Sequence, residues 1–259
     1  MTPASSSLRP TFPLDAALVA SGLSEMYLEV SPRVVEDAFE VAKVADAFEA
    51  AVAAGMFAFD PALGERLIVR SADQVAPGGT LRRSWQLTNV QSSAVRVLLN
   101  MLEILHQYTA PLGWVRVICR GTGPALGLEQ ALHGPFPLGS TPPFPVSFKP
   151  NLEDSKEPLL RIEFRSPVTD ADVKIAETMC RAWDALVIRG AFYSEIDDRY
   201  PDLDVEASVS GQQTYLADAN TVEHLFYEFI GAAAAYDAFV NGVIRLHHRY
   251  LAVAAVEVA

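Results

Sequence analysis

A repeat constrains this chain more than any other feature. Shifted against itself by 135 positions, so that Pro32 meets Pro167, the sequence aligns without a gap. Ala47, Phe48 and Glu49 fall on Ala182, Trp183 and Asp184; Ala50, Val52, Gly55 and Phe57 fall on Ala185, Val187, Gly190 and Phe192. A recurring segment folds as a recurring unit, so self-similarity outranks residue propensity as a guide to architecture. Alanine-rich helices can align by composition alone. A shared proline before, an aromatic–acid pair within and a Gly-x-Phe after argue instead that the chain is written twice.

The apolar spacing gives both copies one element order. In the first, Met26–Ser31 reads as a strand. Val34, Ala38, Val41, Val44, Phe48 and Val52 then mark a helix by their three- and four-residue steps, with Gly55 at its stop. Glu65–Ser71 and Leu81–Asn89 read as strands around the turn Pro77-Gly78-Gly79. A second helix carries Val95, Leu98, Leu102 and Leu105, and Trp114–Cys119 closes the copy as a strand. In the second copy Leu159–Phe164 is a strand, and Thr169 or Asp170 caps a helix striped by Val173, Ala176, Met179 and Trp183. Leu203–Val209 alternates as a strand, and Thr214–Ala217 follows a turn. A last helix is expected from about Val222 to His247, then a strand over Leu251–Val258.

Split β-α-β-β-α-β units of this kind are the ferredoxin-like plan. The expected fold class is α+β: an internally duplicated ferredoxin-like unit, with antiparallel sheets, helices on one face and a pseudo-twofold relation. Residues 1–23 read as an N-terminal arm, 24–120 as the first repeat, 121–158 as a connector and 159–259 as the second repeat. The connector holds eight of the 17 prolines, which suits an extended strap rather than a helix. Thr11-Phe12-Pro13 and Pro143-Phe144-Pro145 precede the two copies similarly, which would make the connector part of the repeated unit.

Composition then narrows the function. With 259 residues, 50% apolar and 20% charged, the chain can bury a core without staples. Its net charge of −12 argues against nucleic acid, whose phosphates need clustered Lys and Arg, and against anionic membrane. Cys119 and Cys180 are isolated, so they read as buried thiols, with no disulfide or thiolate metal site. No apolar run suits a signal peptide or a membrane span, so a soluble, cytoplasmic protein is expected.

Motifs that carry chemistry are absent. Gly121-Thr122-Gly123 is followed by Pro124 where a phosphate loop needs amide donors, and neither GxSxG nor HExxH occurs. His247 and His248 are adjacent and diverge on a helix, so helix-end electrostatics explains them, as it does His106 and Glu223-His224. His106 and His248 are the one histidine pairing that pseudo-symmetry could bring together. No metal site and no cofactor are expected.

The acidic run Glu195, Asp197, Asp198, Asp202, Asp204 and Glu206 is the densest charge feature, and it lacks the spacing of a calcium loop. The leading reading is a non-enzymatic acidic interaction protein, an immunity-type inhibitor or assembly subunit. It would engage a basic protein partner through Glu195, Asp197, Asp198 and Asp202. The alternative is a small-molecule enzyme or ligand-binding protein using a cleft between the repeats. Trp85, His106, Arg116, Tyr215 and His248 are the lining candidates, with Tyr215 taken as the counterpart of Trp85.

Overall fold

The computed structural model describes residues 10–18, 23–62, 68–76, 78–121, 141–149, 157–192, 212–226 and 233–259. The first half runs β1 (Leu14–Leu18), β2 (Glu25–Pro32), α1 (Ala38–Ala53), β3 (Ile68–Val75), β4 (Leu81–Gln86), α2 (Ser93–Ile104) and β5 (Leu112–Arg120). The second runs β6 (Val146–Phe148), β7 (Leu159–Phe164), α3 (Asp170–Ile188), β8 (Gln212–Asp218), β9 (Thr221–Phe226), α4 (Ala233–Arg249) and β10 (Val253–Val258). The molecule is a mixed α+β protein with two five-stranded sheets, ordered β1-β5-β2-β4-β3 and β6-β10-β7-β9-β8. Position for position, the two orders are the same. No helix among the described residues is long and apolar enough to cross a membrane.

Each element follows from local pattern. In β7, Leu160, Ile162 and Phe164 are buried while Arg161 and Glu163 are exposed, a period of two that plants one face on the helices. Thr169 starts α3 with a capping box: its hydroxyl accepts from Asp172 N, and the Asp172 carboxylate accepts from Thr169 N. The Thr169 hydroxyl also donates to that carboxylate at 2.7 Å, and this bond, with the one from Thr169 N, holds the Asp172 carboxyl below its ordinary pKa. Gly55 (φ +85°) and Gly190 (φ +71°) end α1 and α3 in the left-handed region that a Cβ resists.

The sheets differ from expectation in one respect. They are mixed rather than antiparallel, because β1 and β6 join as parallel edge strands beside β5 and β10. Both come from stretches read as arm and connector, each just after a proline, and a sheet edge is where proline is tolerated. There Phe12 packs edge-on against His106 and Phe144 against His247.

A second correction concerns Thr221–Phe226, which is strand β9 and not the start of a helix. Glu223 and His224 therefore point to opposite faces of a sheet and owe nothing to a helix end. The strand expected over Leu203–Val209 lies outside the described residues.

Helices α1 and α2 cover one sheet, α3 and α4 the other, and the helices of the two halves pack together through α1 and α3. The order of layers is sheet, helices, helices, sheet. A single apolar core runs through all of it, from Met26, Leu28 and Phe48 to Trp183, Phe239 and Val256.

Candidate functional site

The matching words in the sequence mark an acid on each inner helix, half-buried in the first half and buried in the second. In the first half, Glu49 on α1 accepts from Trp85 Nε1 at 3.1 Å and lies 3.5 Å from the Arg83 guanidinium, which also binds Asp46 at 2.6 Å. In the second, Asp184 on α3 meets His224 Nε2 at 2.8 Å, and His224 Nδ1 meets Thr214 Oγ1 at 2.9 Å. Arg83 and His224 occupy equivalent places on β4 and β9, opposite Leu28 and Leu160. Burial raises the Asp184 carboxyl above its ordinary pKa against the pull of His224. Cys180, wholly buried beside this group, is pushed well up by the same cause. The constellation of Cys180, Thr214, His224 and Asp184 contains the side chains of a nucleophilic site, but it is closed inside the core. Burial raises the Cys180 thiol and so disfavours the thiolate that a nucleophile needs.

Across the seam the halves exchange equal contacts. Asn100 on α2 donates to Ala191 O at 2.9 Å, and Asn241 on α4 donates to Met56 O at 3.2 Å. Gly190 abuts Ile104 and Gly55 abuts Arg245. Beside Gly55 this reciprocity breaks. A groove of about 580 Å³ opens between the end of α1, α3 and α4, lined chiefly by Ala50, Ala53, Ala54, Met179, Gly242 and Leu246. Arg181, Arg245, Thr178 and Tyr250 supply its polar groups. Gly242, Ala53 and Ala54 stand where the other side of the seam carries Met101, Ile188 and Arg189. Three small residues thus leave room where their counterparts place bulk.

The residues expected to line a cleft are dispersed. Trp85 is buried against Phe48, with ring centroids 5.3 Å apart. Arg116 lies on the outer face of the first sheet, bound to Asp15 and Glu29. Tyr215 lies on the outer face of the second and donates to Glu223 at 2.7 Å. By register it is opposite Glu223 as Gln74 is opposite Arg82, so its counterpart is Gln74; Trp85 answers to Phe226. His248 is exposed at the end of α4.

His106 pairs by equivalence with His247 rather than His248. Each accepts a backbone N–H six residues on, from Leu112 at 2.8 Å and from Val253 at 3.0 Å. The acidic candidates Glu195, Asp197, Asp198 and Asp202 lie outside the described residues. Sequence reasoning missed the groove residues altogether. The signal that could have found them is Gly242 opposite Met101 once the second copy is shifted by 141 positions, as Asn100 is to Asn241.

The His247 turn gives a pH prediction. Burial, with the nearby charges of His248 and Arg165, lowers the His247 pKa below its ordinary 6.5. The unfolded chain therefore takes up this proton first as pH falls. Stability is full above about 6.5 and declines below it, levelling once the folded imidazole is also protonated. Thermal melts at successive pH values should show the decline, and His247→Gln should flatten it.

The chain matches no known protein-family model, no curated protein and no solved structure.

Proposed function

We propose that this protein is a non-catalytic binder of small amphipathic anions, built on two ferredoxin-like units fused in one chain. The duplicated reading is supported by the shared strand order and the reciprocal seam. The observation that carries the function is the groove between the halves. Its walls are mostly alanine, methionine, isoleucine and leucine, which favour a hydrocarbon tail; Arg245 offers a cation to an acidic head, and Arg181, which also pairs with Glu177 at 2.6 Å, stands beside it. Its volume falls within the range of small-ligand sites, about 300–1,000 Å³. The lining includes no carboxylate, imidazole or thiol to act as base or nucleophile, which favours binding over catalysis.

Octanoate is the probe, with octanol as the uncharged control, measured by titration calorimetry. Octanoate is expected to bind and octanol to bind at least about tenfold more weakly, the scale of one lost charge-assisted bond. Ala53 is exposed, so Ala53→Ile transplants the bulk of Ile188 without disturbing the core. It should abolish octanoate binding, whereas Arg245→Met should weaken octanoate and leave octanol unchanged. Wild-type affinity in Ala53→Ile would overturn the proposal.

A further inference from the structure

The outer faces of the two sheets carry the same ladder of charges with every sign reversed. On the first sheet Arg116, Glu29 and Arg82 lie side by side on β5, β2 and β4, in strict register. Arg82 Nε reaches Glu29 Oε1 at 2.6 Å and Arg116 Nη1 reaches Glu29 Oε2 at 3.2 Å. On the second sheet the equivalent strands β10, β7 and β9 carry Glu257, Arg161 and Glu223, also in register. Arg161 spans Glu223 at 2.6 Å and Glu257 at 3.1 Å. One face reads plus, minus, plus; the other reads minus, plus, minus.

Four of these six side chains remain nearly half exposed: Arg116 44%, Arg82 49%, Arg161 45% and Glu257 48%. Partly buried apolar groups flank them on the same faces, Tyr27, Trp114 and Ile118 on the first sheet and Leu159 and Leu225 on the second. The faces therefore offer apolar area as well as charge.

We propose that the first-sheet face of one molecule docks on the second-sheet face of another copy of this chain. Neighbouring strands in any sheet lie about 4.8 Å apart, so both ladders have one spacing. Laid face to face, each charge meets its opposite. This holds in either direction for the three inner strands, where each ladder reads the same from both ends; on the edge strands the first face adds Asp15, paired with Arg116 at 2.8 Å, and the second carries Ser147. The first-sheet face laid on itself in the same register instead sets like against like, as does the second on itself, which disfavours a symmetric dimer. The complementary faces lie on opposite outer sides of the four layers. The contact is head-to-tail and propagates into a row of copies.

Because the charges are exposed, the association is salt-sensitive. The screening length is about 30 Å at 0.01 M salt and about 3 Å at 1 M. Sedimentation velocity of the full chain should show mass rising with concentration at the lower salt and a monomer at the higher. Glu257→Arg spoils only the second face and Arg82→Glu only the first, so each alone should stay monomeric. Mixed together they should associate again, through the intact face that each retains and through the two altered faces, whose exchanged charges are complementary when one ladder is laid in reverse on the other. A symmetric dimer cannot be rescued in that way. Should Arg82→Glu fail to fold beside Glu29, Arg82→Gln keeps a donor there and serves in its place. A wild type that stays monomeric at low salt, single variants that associate like wild type, or a mixture that stays monomeric would each overturn the proposal.

Discussion

Replacing His224 by leucine should lower the free energy of unfolding by about 3 kcal/mol, the upper end of the usual cost of leaving a buried polar group without its hydrogen-bond partner. The reason is specific to Asp184. It is almost wholly buried, its Oδ1 is held by His224 at 2.8 Å, and its Oδ2 has no hydrogen-bond partner among the described residues. Without His224 the carboxyl group must be kept neutral or left as an uncompensated charge inside the helix layer. At this size a loss of that magnitude moves the melting temperature by about 10 °C. The double variant Asp184→Leu, His224→Leu should recover most of the stability, because an apolar pair of similar volume needs no partner. Thermal melts of the single and double variants test this; equal losses in both would refute it.

Gly190→Ala is the second large effect, an expected loss of about 2–5 kcal/mol. Two costs combine. A left-handed backbone (φ +71°) penalises any Cβ by about 1–2 kcal/mol. The added carbon would also lie 2.5 Å from Ile104 Cγ1 and 3.2 Å from Ile104 Cβ, a buried side chain with little room to retreat, for about 1–3 kcal/mol more. Gly55→Ala carries the same backbone cost, and its nearest neighbour at 2.3 Å is the stem of Arg245. The far end of the arginine can swing aside, but its Cβ, 2.8 Å from the added carbon, is fixed to the helix backbone, so this loss should be at least as large. Denaturant titration of both variants gives the comparison, and a clearly smaller loss for Gly55→Ala would contradict the explanation.

The contrast between these glycines shows what could be read from sequence. Gly55 and Gly190 were visible as paired stops because a helix end in the left-handed region selects glycine whatever its surroundings. Phe48-Glu49 and Trp183-Asp184 were visible as words, but not as the acids of two equivalent helix-to-strand pairs, since Arg83 and His224 lie far along the chain.

Strand β9 was misread for the same reason. Its inward positions are Val222, His224 and Phe226, and a histidine there hides the alternation that signals a half-buried strand. Leu225, Phe229 and Tyr236 meanwhile continue a helical stripe. What makes His224 acceptable inside is Asp184, a partner 40 positions away that no local pattern can reveal. The groove was invisible because it consists of missing bulk. Alanines and a glycine in helices look like ordinary helix residues until their counterparts are known.

The offset between equivalent positions grows along the chain, from 132 (Leu14 to Val146) through 135 (Gly55 to Gly190) to 141 (Asn100 to Asn241). The last six-residue gain falls between Gly190 and Leu216, the counterpart of Val75. The path there is 26 residues against 20 in the first half. Chain-closure entropy grows only with the logarithm of length, so six more residues between fixed ends cost about 0.2 kcal/mol. The sheet and helix it joins keep their partners regardless. The chain between α3 and β8 is thus a thermodynamically inexpensive place to add sequence. A fluorescent or affinity peptide inserted there would report on the molecule while leaving both sheet faces and the seam as they are.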